Sequence, residues 1–150
     1  MLNKNVVGNS CAPALNEVER GAIRRFAEAM GDFNPVHYDD EYARALGYPG
    51  VLAPPTFPAS FHSNAHLQSM LGVGIKSLLH TEQTFEYERP IFSGDRIWVA
   101  SKVTEVLERP GLGGKVDVAI LEDEGRDEAG QLVFRARRTL VVRASKEAAQ

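Results

Sequence analysis

One cysteine, Cys11, in 150 residues leaves no internal disulfide framework and no multi-cysteine metal site, and it fits a reducing compartment. No segment approaches the ~20 apolar residues that a bilayer-crossing helix requires. Met1 to Ser10 lack the charged start and apolar run of a secretory leader. There is no excess of positive charge either: 17 Lys and Arg stand against 20 Asp and Glu, a net charge of −3. The chain therefore has no bulk electrostatic attraction to nucleic acid or to an anionic membrane. Low-complexity tracts and internal repeats are missing. What remains is a chain with 43% hydrophobic residues, long enough for one full core and cramped for two. The expectation is a soluble, cytoplasmic, single domain over residues 1–150.

The two halves differ in period. Val18, Ala22, Phe26 and Met30 recur every four positions, with Ile23 and Ala27 beside them, which is one helical stripe. Asn16 is the expected N-cap, Glu17 and Glu19 favour the positive helix start, and Gly31 is the expected stop. A loop over 31–38 follows, punctuated by Asn34-Pro35. Asp39 or Asp40 then caps a short helix through Leu46, ended by Gly47. A longer helix is expected from Thr56 to Leu71, entered through Pro54-Pro55, and its lack of charge marks it as a core helix.

After Ser77 the apolar residues alternate with polar ones in four segments, around Phe85 and Tyr87, Ile97 to Val103, Val116 to Ile120, and Leu132 to Leu140. Turn signals separate them at Arg89-Pro90 with Ser93-Gly94-Asp95, at Pro110 to Gly114, and at Glu128-Ala129-Gly130. Short connections favour an antiparallel meander. The expected fold is α+β, one antiparallel sheet wrapped around one central helix.

The stretch Gly31-Asp32-Phe33-Asn34-Pro35-Val36-His37 sets a carboxylate and an imidazole five residues apart in a stiffened loop. Proline fixes its own φ and restricts the residue before it, so such a loop can hold Asp32 and His37 facing one point. That is what acid–base work requires, and a nearby carboxylate can orient an imidazole and tune its basicity. Spacing alone leaves open an ordinary turn carrying a surface histidine.

The run GDFNPVHYDDEYARALGYPGVLAPPTF resembles the signature of the MaoC-like dehydratases, which include the (R)-specific enoyl-CoA hydratases. FEYERPIFSGDRIWVASKVTEV and GQLVFRARRTLVVR resemble strands of the same family, so the likeness runs from about Val6 to Arg143. It implies the hot-dog fold, a curved antiparallel sheet around a long helix. It also implies that Asp32 and His37 hold one water and add it across a trans-2-enoyl thioester, giving an (R)-3-hydroxyacyl thioester, or run the dehydration. Asn34 would hold the loop or an active-site hydrogen bond, and Ala53, Pro55, Thr56 and Phe57 would line the thioester.

The implied reaction uses no metal and no cofactor beyond the coenzyme A or acyl carrier protein that carries the substrate. Those hydratases begin the central helix with Ala-His-Gly, whereas this chain has Ala53-Pro54-Pro55-Thr56. Proline has no N–H, so Thr56 N–H is the substitute donor for the thioester oxygen. The Pro-Pro start also resembles a branch in which a non-catalytic subunit shapes the acyl channel of a heterodimeric dehydratase. A hot-dog thioesterase is a third reading, weakened because no Asp or Glu lies between Pro54 and Leu79. Family members commonly pair edge to edge, so a homodimer, or a heterodimer with another hot-dog subunit, is expected.

Other residues carry less. His62 and His66, spaced i, i+4, lack the glutamate of a His-Glu-x-x-His metal motif and have no evident third ligand. Gly111-Leu112-Gly113-Gly114 sits between strands and reads as a hairpin turn. Cys11 has no flanking base and reads as an idle or buried thiol, and Trp98 reads as packing. Arg135, Arg137 and Arg138 form either a solvated face or a site for coenzyme A phosphates.

Overall fold

The computed structural model describes residues 2–61 and 67–143. It has five strands, β1 (Ala14–Glu17), β2 (Leu78–Tyr87), β3 (Arg96–Gly111), β4 (Gly114–Arg126) and β5 (Leu132–Val142). Its α-helices are α1 (Arg20–Met30), α2 (Asp40–Ala45) and α3 (Leu67–Leu71). The strands make one antiparallel sheet in the order β1-β3-β4-β5-β2.

β3, β4 and β5 form the expected meander, but β2 joins the far side of β5 and not β3. The eight residues between β2 and β3 form a wide crossing in place of a tight hairpin. Arg89 pins that crossing through a two-pronged contact with Asp95, at 2.8 and 3.2 Å, while Ile91 is buried beneath it. The β3–β4 turn is the expected hairpin, with Gly113 and Gly114 both at positive φ.

The alternation in β3 to β5 follows from burying one face. Ile97, Val99 and Val103 of β3, Ala119 and Leu121 of β4, and Phe134, Ala136 and Leu140 of β5 turn inward. They feed two apolar clusters. The first gathers Val18, Ile23, Val51, Ala53, Phe57, Phe61, Ile91 and Phe134 among others, and the second gathers Val6, Leu67, Met70, Leu71, Leu121 and Leu140. Between them, on the same inner face, lie Ser101, Asp123 and Arg138. Arg138 grips Asp123 through Nε at 2.7 Å and Nη2 at 2.8 Å, and Ser101 Oγ donates to the same carboxylate. Arg138 is therefore no part of a solvated face and is out of reach of a phosphate. Arg135 and Arg137 do face solvent, paired with Glu124 and Glu105.

Two helical expectations change. Helix α1 starts at Arg20 behind Glu19, because Asn16 belongs to β1, opposite Ile97, and is buried there. The central segment does not run as one helix from Thr56. Phe57–Ser60 is a 3-10 turn and Phe61 is extended, with φ −69° and ψ 148°. Ser60 Oγ occupies the Phe57 carbonyl at 2.7 Å, the oxygen that an α-helix would offer to the Phe61 N–H. The Phe61 ring instead packs between Phe57 and Phe134, at centroid distances of 5.6 and 6.1 Å. The burial expected of this segment holds for Phe57, Phe61, Leu67, Met70 and Leu71. His62 and His66 lie outside the described residues.

The inner ion pair yields a stability prediction. Asp123→Ala strands a buried guanidinium and should cost about 3–5 kcal/mol, whereas the double change Asp123→Leu with Arg138→Met should recover most of that loss. Urea denaturation midpoints at constant m value measure both.

Candidate active site

Asp32 owes its position to the way α1 ends. Gly31 takes the left-handed conformation at φ 69°, which a residue with a Cβ adopts poorly. Its N–H reaches the Glu28 carbonyl at 3.1 Å, and the Asp32 N–H reaches that of Ala27 at 2.9 Å, the paired bonds of a Schellman ending. Asp32 Oδ1 then accepts the Asn34 N–H at 3.1 Å, and Asn34 Oδ1 accepts that of Val36 at 3.1 Å. Asn34 thus caps the 3-10 turn Pro35–His37 and holds the loop. The Tyr38 hydroxyl donates to the Asp32 carbonyl at 2.8 Å. Desolvation, with the Glu28 and Asp32 carboxylates nearby, raises the Tyr38 phenol above its ordinary value and keeps it a donor.

The loop brings the two residues together. His37 Nε2 lies 3.0 Å from Asp32 Oδ2, and His37 Nδ1 lies 2.6 Å from the Leu52 carbonyl. A carbonyl only accepts, so Nδ1 carries a hydrogen and Nε2 is the nitrogen turned to the carboxylate. The imidazole side chain is 5% exposed and the carboxylate 41%. The pair is therefore anchored at its histidine end and open to solvent at its acidic end.

Leu52 belongs to a short extended stretch, Val51 to Ala53, whose backbone N–H groups each have a named partner. Val51 N–H bonds Asp40 Oδ1 at 3.0 Å, Leu52 N–H the Val36 carbonyl at 2.9 Å, and Ala53 N–H the Ile91 carbonyl at 2.8 Å. The Val51 carbonyl accepts the Ser93 N–H at 3.0 Å. Leu52, Ala53, Pro54 and Pro55 form one wall of a mainly apolar groove of about 320 Å³, with Tyr87 to Ile91 opposite. Asp32 and His37 do not themselves line it; Leu52 is the link.

The other expected site residues separate by role. Pro55 contributes no donor, and its carbonyl accepts the Tyr87 hydroxyl. Thr56 Oγ1 contacts Met30 Sδ at 3.3 Å, and its N–H has no protein acceptor among the described residues. Phe57 is buried in the first cluster, edge-on to Phe26. Trp98 lies under the Arg96 guanidinium, 5.3 Å from the ring centroid, and Cys11 packs against the second cluster. Among the described residues no group of three or more His, Cys, Asp and Glu side chains gathers to hold a metal. No helix among them is long and apolar enough to cross a membrane.

The sequence named Asp40 only as a possible helix cap and Tyr87 only as part of an alternating strand, and it assigned Leu52 and Tyr38 no role. Leu52 acts through its backbone, which leaves no trace in residue type. Tyr38 adjoins the motif and could have been found by proximity to it.

An antiparallel sheet curved over a buried segment, with an Asp–His loop at the start of that segment, defines an α+β hot-dog domain. A family model described as "FAS1-like, dehydratase domain region" matches residues 5–136, and the chain belongs to that family of MaoC-like dehydratases. A UPF0336 protein of Streptomyces coelicolor is 41% identical over 152 residues, covering 98% of this chain and 99% of the relative. Among solved structures, the C-terminally truncated HadBC (3R-hydroxyacyl-ACP dehydratase) complex of Mycobacterium tuberculosis is similar. Its TM-score is 0.78 at 27% identity, over 91% of this chain and 96% of that one. A MaoC-like dehydratase gives a TM-score of 0.81 at 30% identity, over 96% of this chain and 44% of that one.

The Asp40 carboxyl is held below the ordinary carboxylate range, first by the Val51 N–H and further by the Arg20 guanidinium, against the opposing effect of desolvation. A lowered folded-state value means a contribution present above the unfolded value and lost as pH falls through the folded one. Thermal unfolding should therefore show Tm falling below about pH 4, with a shallower fall in Asp40→Asn.

Proposed function

We propose that this chain is a hydro-lyase that reversibly adds water to trans-2-enoyl thioesters, giving (R)-3-hydroxyacyl thioesters. Membership in a dehydratase family supports the reaction type. The observation that carries the reading is the Asp32–His37 contact at 3.0 Å, with the imidazole tethered behind it at Leu52.

In hydration, a water enters at the open, carboxylate end of the pair. The pair takes one of its protons as the water oxygen bonds C3, and the C2=C3 electrons shift toward the thioester oxygen. The pair then returns a proton to C2. One water is consumed and both groups end as they began. Dehydration is the reverse, with C2–H removed and the C3 hydroxyl leaving as water. The Thr56 N–H, with no other acceptor among the described residues, is the donor assigned to the thioester oxygen. The apolar groove beside Leu52 takes part of the thioester, carried on coenzyme A or acyl carrier protein.

Crotonyl-CoA should lose its conjugated-thioester absorbance in the presence of the purified protein. Asp32→Asn and His37→Ala should each slow that loss by roughly 10²–10⁴-fold. A wild-type rate matched by both variants would defeat the reading.

A second reading, a non-catalytic acyl-channel subunit of a heterodimeric dehydratase, is favoured by Pro55, which offers no N–H where a donor is needed. The relationship to HadBC, a complex, also favours it. Activity that appears only when a second hot-dog protein is added would decide for it. For either reading the association edge is β2, an outer strand with one row of backbone groups unmatched by a neighbouring strand. Solution scattering should give the mass of a dimer.

A further inference from the structure

We infer that Asp40 is a positioning residue for His37, acting through Val51 and Leu52 to set which imidazole nitrogen carries hydrogen. For its catalytic consequence this rests on the hydration reading above; the tautomer itself does not. The connection is continuous. Asp40 Oδ1 accepts the Val51 N–H at 3.0 Å, and the next residue, Leu52, offers its carbonyl to His37 Nδ1 at 2.6 Å. The other oxygen of Asp40 is held by Arg20 Nε at 3.1 Å, and Arg20 Nη2 also donates to the Tyr38 carbonyl at 2.6 Å. One carboxylate–guanidinium pair therefore grips the chain on both sides of the imidazole, at Tyr38 and at Val51.

The grip has little slack. Val51 is fully buried, so losing Asp40 would leave its N–H without an acceptor in an apolar setting. Gly50 leaves room for the Ser93 side chain: a Cβ there would come within 2.9 Å of Ser93 Oγ, while Asp40 Oδ1 would be at an ordinary contact distance of 3.5 Å. If the stretch shifts, the Leu52 carbonyl moves from Nδ1. The ring is then free to take the other tautomer, or to turn and present the wrong nitrogen to Asp32. A base that is hydrogen-bonded correctly only part of the time loses turnover and keeps its substrate affinity.

The test is a tautomer measurement beside a kinetic one. In long-range ¹H–¹⁵N spectra of histidine-labelled protein, His37 should show a protonated Nδ1 in wild type and in Asp40→Asn, whose amide oxygen still accepts the Val51 N–H. Asp40→Ala should give a mixture or exchange broadening, with crotonyl-CoA kcat down about tenfold and KM within twofold. Arg20→Ala, half-exposed and expected to fold, should move both readouts the same way by a smaller amount, about threefold in kcat. The inference is overturned if wild-type His37 is protonated only at Nε2, or if folded Asp40→Ala keeps the wild-type spectrum. Should Asp40→Ala not fold, an unchanged spectrum in Arg20→Ala overturns it equally. If wild type turns over no crotonyl-CoA, the hydration reading fails while the spectra still decide the role of Asp40.

Discussion

An imidazole held at both ring nitrogens is the constraint around which the site is built. His37 sits between the Leu52 carbonyl and the Asp32 carboxylate, and these acceptors come from different parts of the chain. The Leu52 carbonyl can only accept, so a hydrogen stays on Nδ1. The Asp32 side of the ring is therefore the side where a proton is taken up and given back. Local turn chemistry places Asp32, tertiary packing places Leu52, and the histidine is where the two meet.

That arrangement explains why an 11-residue helix, a single turn and an extended stretch of three residues matter more to the site than the sheet does. The sheet supplies the wall against which the segment Val51–Ala53 is pressed, through Ile91 and Ser93 on the crossing between β2 and β3. The width of that crossing, a consequence of β2 pairing with β5, makes room for the segment. A tight hairpin between β2 and β3 would leave none.

Much of this was legible in the residues themselves. The end of α1 at Gly31 and the Asn34-Pro35 turn come from short-range effects, namely left-handed glycine, proline stiffness and side-chain caps. They set Asp32 and His37 near each other, while the Leu52 anchor that fixes the ring is long-range. Strands β3 to β5 were legible because each buries one face, whereas β2 alternates in sequence but keeps no residue fully buried. What escaped is nonlocal. Asn16 reads as a cap until β1 is seen lying along β3, and Arg138 reads as surface charge until Asp123 is found opposite on the neighbouring strand. The Thr56–Leu71 stripe is apolar enough for a helix, yet Ser60 diverts one carbonyl and Phe61 turns toward Phe134. No periodicity reveals that competition.

The Ser101–Asp123–Arg138 group also bears on how the strands find their alignment. Greasy residues tolerate neighbours of many shapes, so two oily patches alone would permit β4 and β5 to slide past each other by two residues, which keeps the same faces inward, with modest loss. With the ion pair inside, that slip carries Asp123 away from Arg138 and abandons a guanidinium in the interior. The molecule thereby carries its own proofreading mark, a single polar coincidence that only the correct alignment satisfies.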